Sequence, residues 1–137
     1  MKEKTLGIFA LILAIAVSGC ALEPAPGASS PAPISYQAIT AEEAYAMMGE
    51  SENFILLDVR TRAEYLEAHI AGAALLPNES IDETTVAEAL PEKDAQIFVY
   101  CRSGRRSAEA AEKLAKLGYT SVYDFGGIID WPYDVVS

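Results

Sequence analysis

The pattern of apolar and polar positions divides the chain into alternating short strands and helices. Tyr36 to Ile39 reads as a short strand, followed by a helix from Thr40 to about Met48. Thr40 with Glu43 three residues on forms a capping box, and Gly49 is placed to stop that helix. Phe54 to Leu57 is a continuous apolar run, as expected of a strand buried on both faces. Thr61 with Glu64 repeats the capping pattern and opens a short helix through Glu67. Ala74 to Leu76 is a brief strand ended by Pro77, and Thr84 to Leu90 a weak helix stopped by Pro91. Gln96 to Tyr100 is the second buried strand. Ser107 to Leu117 is the clearest helix, with Ala108, Ala111, Leu114 and Ala115 on one face and Gly118 at its C-terminus. Ser121 to Tyr123 is the last strand. This alternation predicts an α/β domain with a parallel sheet covered on both faces.

The N-terminus follows a different pattern. Lys2 and Lys4 precede an apolar run from Leu6 to Val17, well short of the roughly 20 residues of a spanning helix. A basic start, a short apolar run and small residues make a secretory signal peptide. The run ends Val17-Ser18-Gly19-Cys20, which resembles the lipobox of bacterial lipoproteins. That resemblance implies cleavage after residue 19 and acyl chains on Cys20. Each buried methylene adds ~0.8 kcal/mol, so several chains would hold the protein durably to a membrane. Ala21 is not the Asp that looks like an inner-membrane retention signal. Residues 20–33 carry Pro24, Pro26, Pro31 and Pro33 among Ala, Ser and Gly, a composition that builds no core and reads as an extended tether. The expected organisation is a signal peptide at 1–19, a lipid-bearing Cys and tether at 20–33, and one globular domain at 34–137. The expected location is extracytoplasmic, on the bacterial cell membrane or outer membrane.

Charge and cysteine usage narrow the function. The 137 residues carry 10 Lys+Arg against 20 Asp+Glu, a net charge of −10, which argues against a nucleic-acid partner. Two Cys and one His do not suggest a structural zinc site or a disulfide framework, and no metal or cofactor is expected. If Cys20 is lipidated, Cys101 has no partner and stays a free thiol.

The chemistry concentrates at Cys101-Arg102-Ser103-Gly104-Arg105-Arg106, between a buried strand and the clearest helix. In open α/β sheets, ligands bind beyond the carboxyl ends of the strands, where this loop falls. A helix N-terminus offers unpaired N–H groups and a partial positive charge, and a tight loop over it makes an anion cradle. Such surroundings favour the thiolate, the nucleophilic form of cysteine. A small apolar residue closing a buried strand is the plainer reading of Cys101. It fits poorly beside three arginines, a glycine and two serines.

Four segments in order carry a family resemblance. They are Leu57-Asp58-Val59-Arg60 with Glu64-Tyr65; His69-Ile70-Ala71-Gly72-Ala73; Tyr100-Cys101-Arg102-Ser103-Gly104-Arg105-Arg106-Ser107; and Phe125-Gly126-Gly127-Ile128-Ile129-Asp130-Trp131-Pro132. From about Ile34 to Trp131 the chain resembles the rhodanese-like sulfurtransferases. Ala68 stands where the family usually has Gly, a departure expected to affect only the turn before His69. The resemblance implies a single domain with a mostly parallel five-stranded sheet flanked by helices. It also implies a reaction in which Cys101 takes a sulfane sulfur from a small anionic donor such as thiosulfate and passes it from a persulfide to a thiol or cyanide. Backbone N–H groups from Arg102 to Arg106, Ser103 and Gly104 included, would hold the persulfide. Related phosphatases and arsenate reductases keep five residues between Cys and Arg. Here Cys101 and Arg106 enclose four, and Ser107 takes the place of that Arg.

Other residues invite more modest readings. Asp58 and Arg60 follow a strand, where they either face ligand or form an internal ion pair, and Arg60 is the candidate for the pocket rim. His69 reads as structural, because a pre-ionised thiolate needs no general base. Trp131 and Tyr133 read as core or edge packing. The expected protein is a monomeric, membrane-anchored sulfurtransferase. Its alternative is a rhodanese-fold binding or persulfide-carrier module with little turnover.

Overall fold

The computed structural model describes residues 35–137. The leader, Cys20 and the tether lie outside the described residues. Five strands and four helices alternate: β1 (Gln37–Ala38), α1 (Ala41–Glu50), β2 (Phe54–Asp58), α2 (Arg62–Glu67), β3 (Ala74–Leu75), α3 (Glu83–Ala89), β4 (Gln96–Cys101), α4 (Arg105–Lys116) and β5 (Val122–Gly127). Short 3-10 turns cover Asn78–Ser80 and Ile128–Asp130. The strands pair in the order β1-β5-β4-β2-β3, every neighbour parallel.

The period-two alternation of a strand builds the two faces of the sheet. Along β4, Ile97, Val99 and Cys101 join Val86, Leu90, Ala111 and Leu114 in the core under α3 and α4. Phe98 and Tyr100 point the other way and pack with Ala41, Ala44, Leu56, Phe125 and Trp131 under α1. β4 is the buried spine, so its last residue is held from both sides.

Local chemistry explains where the elements begin and end. Both capping boxes form: the Glu43 N–H donates to Thr40 Oγ1 at 3.1 Å and the Thr40 N–H to Glu43 at 2.8 Å. Thr61 and Glu64 do the same at α2. Asp82 caps α3, accepting from the Thr85 N–H at 2.8 Å, so that helix starts at Glu83 rather than Thr84.

Other boundaries differ from expectation. α1 runs through Gly49 to Glu50, because one helical glycine costs only about 1 kcal/mol and does not end a well-capped helix. β1 and β3 are two residues each, shorter than their apolar patterns suggest. α4 begins at Arg105, not Ser107, which leaves a tighter loop after β4. β5 continues to Gly127, past Tyr123, because the buried Asp124 carboxylate accepts from the Gly126 N–H at 3.0 Å and is satisfied inside the strand.

Candidate active site

Cys101 ends β4 and is almost fully buried. The chain turns back through Arg102, Ser103 and Gly104 and enters α4 at Arg105. Gly104 takes φ 108°, a left-handed conformation that favours glycine, and caps the helix without a side chain. That geometry points the Gly104 N–H at the thiol: Cys101 Sγ accepts from it at 3.0 Å. The α4 N-terminus lies just beyond, so loop amides and the helix dipole share one small space.

Two contacts hold the loop in this shape. Ser107 is fully buried, and its hydroxyl lies within hydrogen-bond distance of the Gly104 carbonyl at 3.0 Å and the Gly126 carbonyl at 3.2 Å. On the β5 side, Gly127 pairs in register with Cys101. A Cβ on Gly127 would overlap the Arg102 carbonyl and stand 2.6 Å from Ser103 Cα. Gly127→Ala must therefore push the loop outward. We expect a stability loss of about 1–3 kcal/mol and, from loop displacement, a fall in sulfur uptake of about 100-fold. Thermal melts and single-turnover loading will measure both.

The three loop arginines play different parts. Arg105 is exposed and pairs with Glu109 at 2.7 Å on its own helix. Arg106 reaches α2 and grips Glu64 with its two terminal guanidinium nitrogens, at 2.9 and 2.8 Å. Arg102 is exposed and makes no ion pair among the described residues. Of the three loop guanidinium groups, that of Arg102 alone has no carboxylate partner among the described residues.

Hydrogen bonds from Arg106 lower the Glu64 pKa from 4.5 to about 2, against the opposing effect of partial burial and with help from Thr61. The Arg106 pKa rises in turn through the same contact. A depressed carboxyl stabilises the fold above its unfolded value near 4.5 and loses that contribution as pH falls toward 2. Glu64→Gln keeps the capping box but removes the charge. It should cost about 1–2 kcal/mol at pH 7, with the two chains converging between pH 4.5 and 2 in acid-unfolding titrations.

Arg60 is buried and turned toward Asp58. Its guanidinium donates to both Asp58 carboxylate oxygens, at distances from 2.7 to 3.2 Å, and to the Ala68 carbonyl at 2.7 Å. Burial opposes the charge of Arg60, yet the bonds to Asp58 and its negative charge raise the pKa overall. The Tyr100 hydroxyl donates to Asp58 Oδ2 at 2.7 Å and accepts from the Ile70 N–H at 3.0 Å. Burial, first of all, pushes the Tyr100 hydroxyl well above its ordinary pKa, and Asp58 adds to the effect. Asp58, Arg60 and Tyr100 thus tie the ends of β2 and β4 together through an internal ion pair.

His69 stacks on Tyr65 with ring centroids 3.8 Å apart, and its Nδ1 lies 2.9 Å from the Tyr65 carbonyl oxygen. Its backbone bridges Val136. Trp131 is buried in the α1-side core, whereas Tyr133 stacks on Tyr45 at the surface. Glu64, Ser107 and Gly127 had no functional role in the sequence reading. The signal for Gly127 was present as two adjacent glycines opposite the thiol loop.

Residues 40–132 match the family model described as Rhodanese-like domain. The chain is 39% identical over 74 residues to the thiosulfate sulfurtransferase PspE of Escherichia coli strain K12, covering 54% of this chain and 70% of that protein. It is 35% identical over 94 residues to a sulfurtransferase of Allochromatium vinosum, covering 68% of this chain and 85% of that one. Among solved structures, a rhodanese with anions from E. coli aligns with a TM-score of 0.56 at 35% identity, covering 61% of this chain and 96% of its own.

Proposed function

The chain belongs to the rhodanese-like domain family, and from that premise we propose that it moves sulfane sulfur from a small anionic donor such as thiosulfate to a thiol or cyanide. It is a sulfurtransferase. The observation that carries the finer reading is the 3.0 Å hydrogen bond from the Gly104 N–H to Cys101 Sγ, at the entrance to α4. The Cys101 thiolate attacks the outer sulfur of thiosulfate. A new S–S bond forms, and the old one breaks with its electron pair leaving on sulfite. The loop N–H groups and Arg102 stabilise the charge on both the persulfide and the departing anion. Cyanide or a thiolate then removes the outer sulfur and restores Cys101.

The test is mass spectrometry of the purified protein after thiosulfate. An adduct of about 32 daltons on Cys101, one sulfur atom, is the first covalent intermediate. No adduct and no thiocyanate from cyanide would favour the binding module instead.

We further propose that the domain works outside the cytoplasm, anchored to a bacterial membrane by acyl chains on Cys20 and carried on the tether of residues 20–33. The basic start, the short apolar run and the Cys after Val17-Ser18-Gly19 support this reading. Among the described residues no helix is long and apolar enough to cross a membrane. Cys20→Ala should move the protein from the detergent phase to the aqueous phase in a phase-partition assay. Unchanged partitioning would refute the anchor.

A further inference from the structure

Part of the exposed apolar surface lies on α2 and on the segment after β5. Leu66 is 60% exposed and Ile129 63%, with Tyr133, Val135 and Val136 also open to solvent. Ile129, Tyr133 and Val135 line one cleft of about 320 Å³ together with Glu64 and Glu67. Two contacts tie the cleft to the loop that carries Cys101. The Ile129 N–H donates to the Arg102 carbonyl at 3.3 Å, and Glu64 holds Arg106. The cleft is therefore built from the same turn and helix that brace the persulfide cradle.

Its charge is opposite to that of the cradle. Of the two carboxylates that line it, Glu64 is paired with Arg106, and Glu67 is exposed and makes no ion pair among the described residues. The one arginine lining it, Arg60, is neutralised by Asp58. A small anion gains nothing from an apolar cleft whose one unpaired lining charge is the Glu67 carboxylate. An apolar segment with positive flanks gains both burial and charge complementarity.

The geometry points to this cleft as the docking site of the sulfur acceptor, a cysteine of a peptide or protein lying among apolar residues and flanked by lysine or arginine. The inference rests on the persulfide reading of Cys101. The acceptor loses its thiol proton to solvent, and its thiolate attacks the outer sulfur of the Cys101 persulfide. The bond between the two sulfurs breaks with its electron pair on Sγ. The acceptor leaves as a persulfide and Cys101 returns as thiolate, with no outside oxidant or reductant.

The test uses the full chain loaded with thiosulfate, freed of donor and followed through one turnover. The probes are two capped pentapeptides with a central cysteine between leucines, one ended by arginines and one by glutamates, with cyanide as a reference. The arginine peptide should discharge Cys101 roughly tenfold faster than the glutamate peptide, the ratio that ~1.4 kcal/mol of docking energy supplies. Ile129→Ser, a neutral change that keeps the backbone N–H to Arg102, should slow the arginine peptide more than it slows loading by thiosulfate. Glu67→Lys, an exposed change at a helix C-terminus that the helix dipole favours, should reverse the peptide preference. Equal rates for the two peptides, or a preference that Glu67→Lys does not move, would overturn the cleft assignment alone. Failure of Cys101 to load at all would overturn the persulfide reading on which it rests.

Discussion

Cys101→Ser should abolish sulfur uptake from thiosulfate while leaving the domain folded. The change swaps one small buried side chain for another at the end of β4, where the core beneath α4 is otherwise untouched. The serine hydroxyl remains protonated at neutral pH and has no neighbouring base to activate it. His69, the sole histidine of the chain, is committed to Tyr65. Loss of covalent catalysis should lower turnover by at least about 1,000-fold, to the level of the uncatalysed exchange. Mass spectrometry should find no sulfur adduct, and thermal melts should stay close to those of the parent. The same variant separates sulfur transfer from phosphate chemistry. The loop encloses four residues between Cys101 and Arg106, and Arg106 is spent on Glu64 rather than pointed at a bound oxyanion. Hydrolysis of a phosphate ester by the parent, lost in Cys101→Ser, would overturn the assignment to sulfur.

What could be read from the sequence was what acts over a few residues. The boxes at Thr40 with Glu43 and Thr61 with Glu64 close within three positions, and they start helices where expected. The loop was legible because Cys101, its glycine and its arginines are contiguous and lie between an apolar run and an amphipathic helix. Partnership across the fold was not legible. Arg106 meets Glu64 across 42 residues, as Tyr100 meets Asp58, and neither pairing leaves a local trace. The three arginines of this loop therefore read as charge around the thiol, whereas the fold pairs two of them with carboxylates. The end of β5 was missed for a related reason. Asp124 looks like a polar stop, and only the Gly126 N–H makes it tolerable in a buried strand. Gly127 is a glycine because of Arg102, which approaches it from another element.

Asp58→Ala should be the most destabilising single substitution in the bracing network. Asp58 is fully buried and accepts from the Arg60 guanidinium, the Arg60 backbone N–H and the Tyr100 hydroxyl. Removing it strands a buried guanidinium that keeps only the Ala68 carbonyl, and it leaves the buried Tyr100 hydroxyl with no acceptor for its proton. Breaking a buried pair in this way costs about 3–5 kcal/mol, a large share of the stability of a small domain. Chemical denaturation will measure the loss. Replacing the whole group by apolar side chains should recover most of it, because no uncompensated charge remains. The triple variant Asp58→Leu, Arg60→Met, Tyr100→Phe is therefore expected to lie well above Asp58→Ala in stability. It also decides what Arg60 does. If Arg60 only braces the loop, the refolded triple variant takes up sulfur with an unchanged KM for thiosulfate. A KM that rises while the fold is restored would instead put the Arg60 guanidinium on the donor.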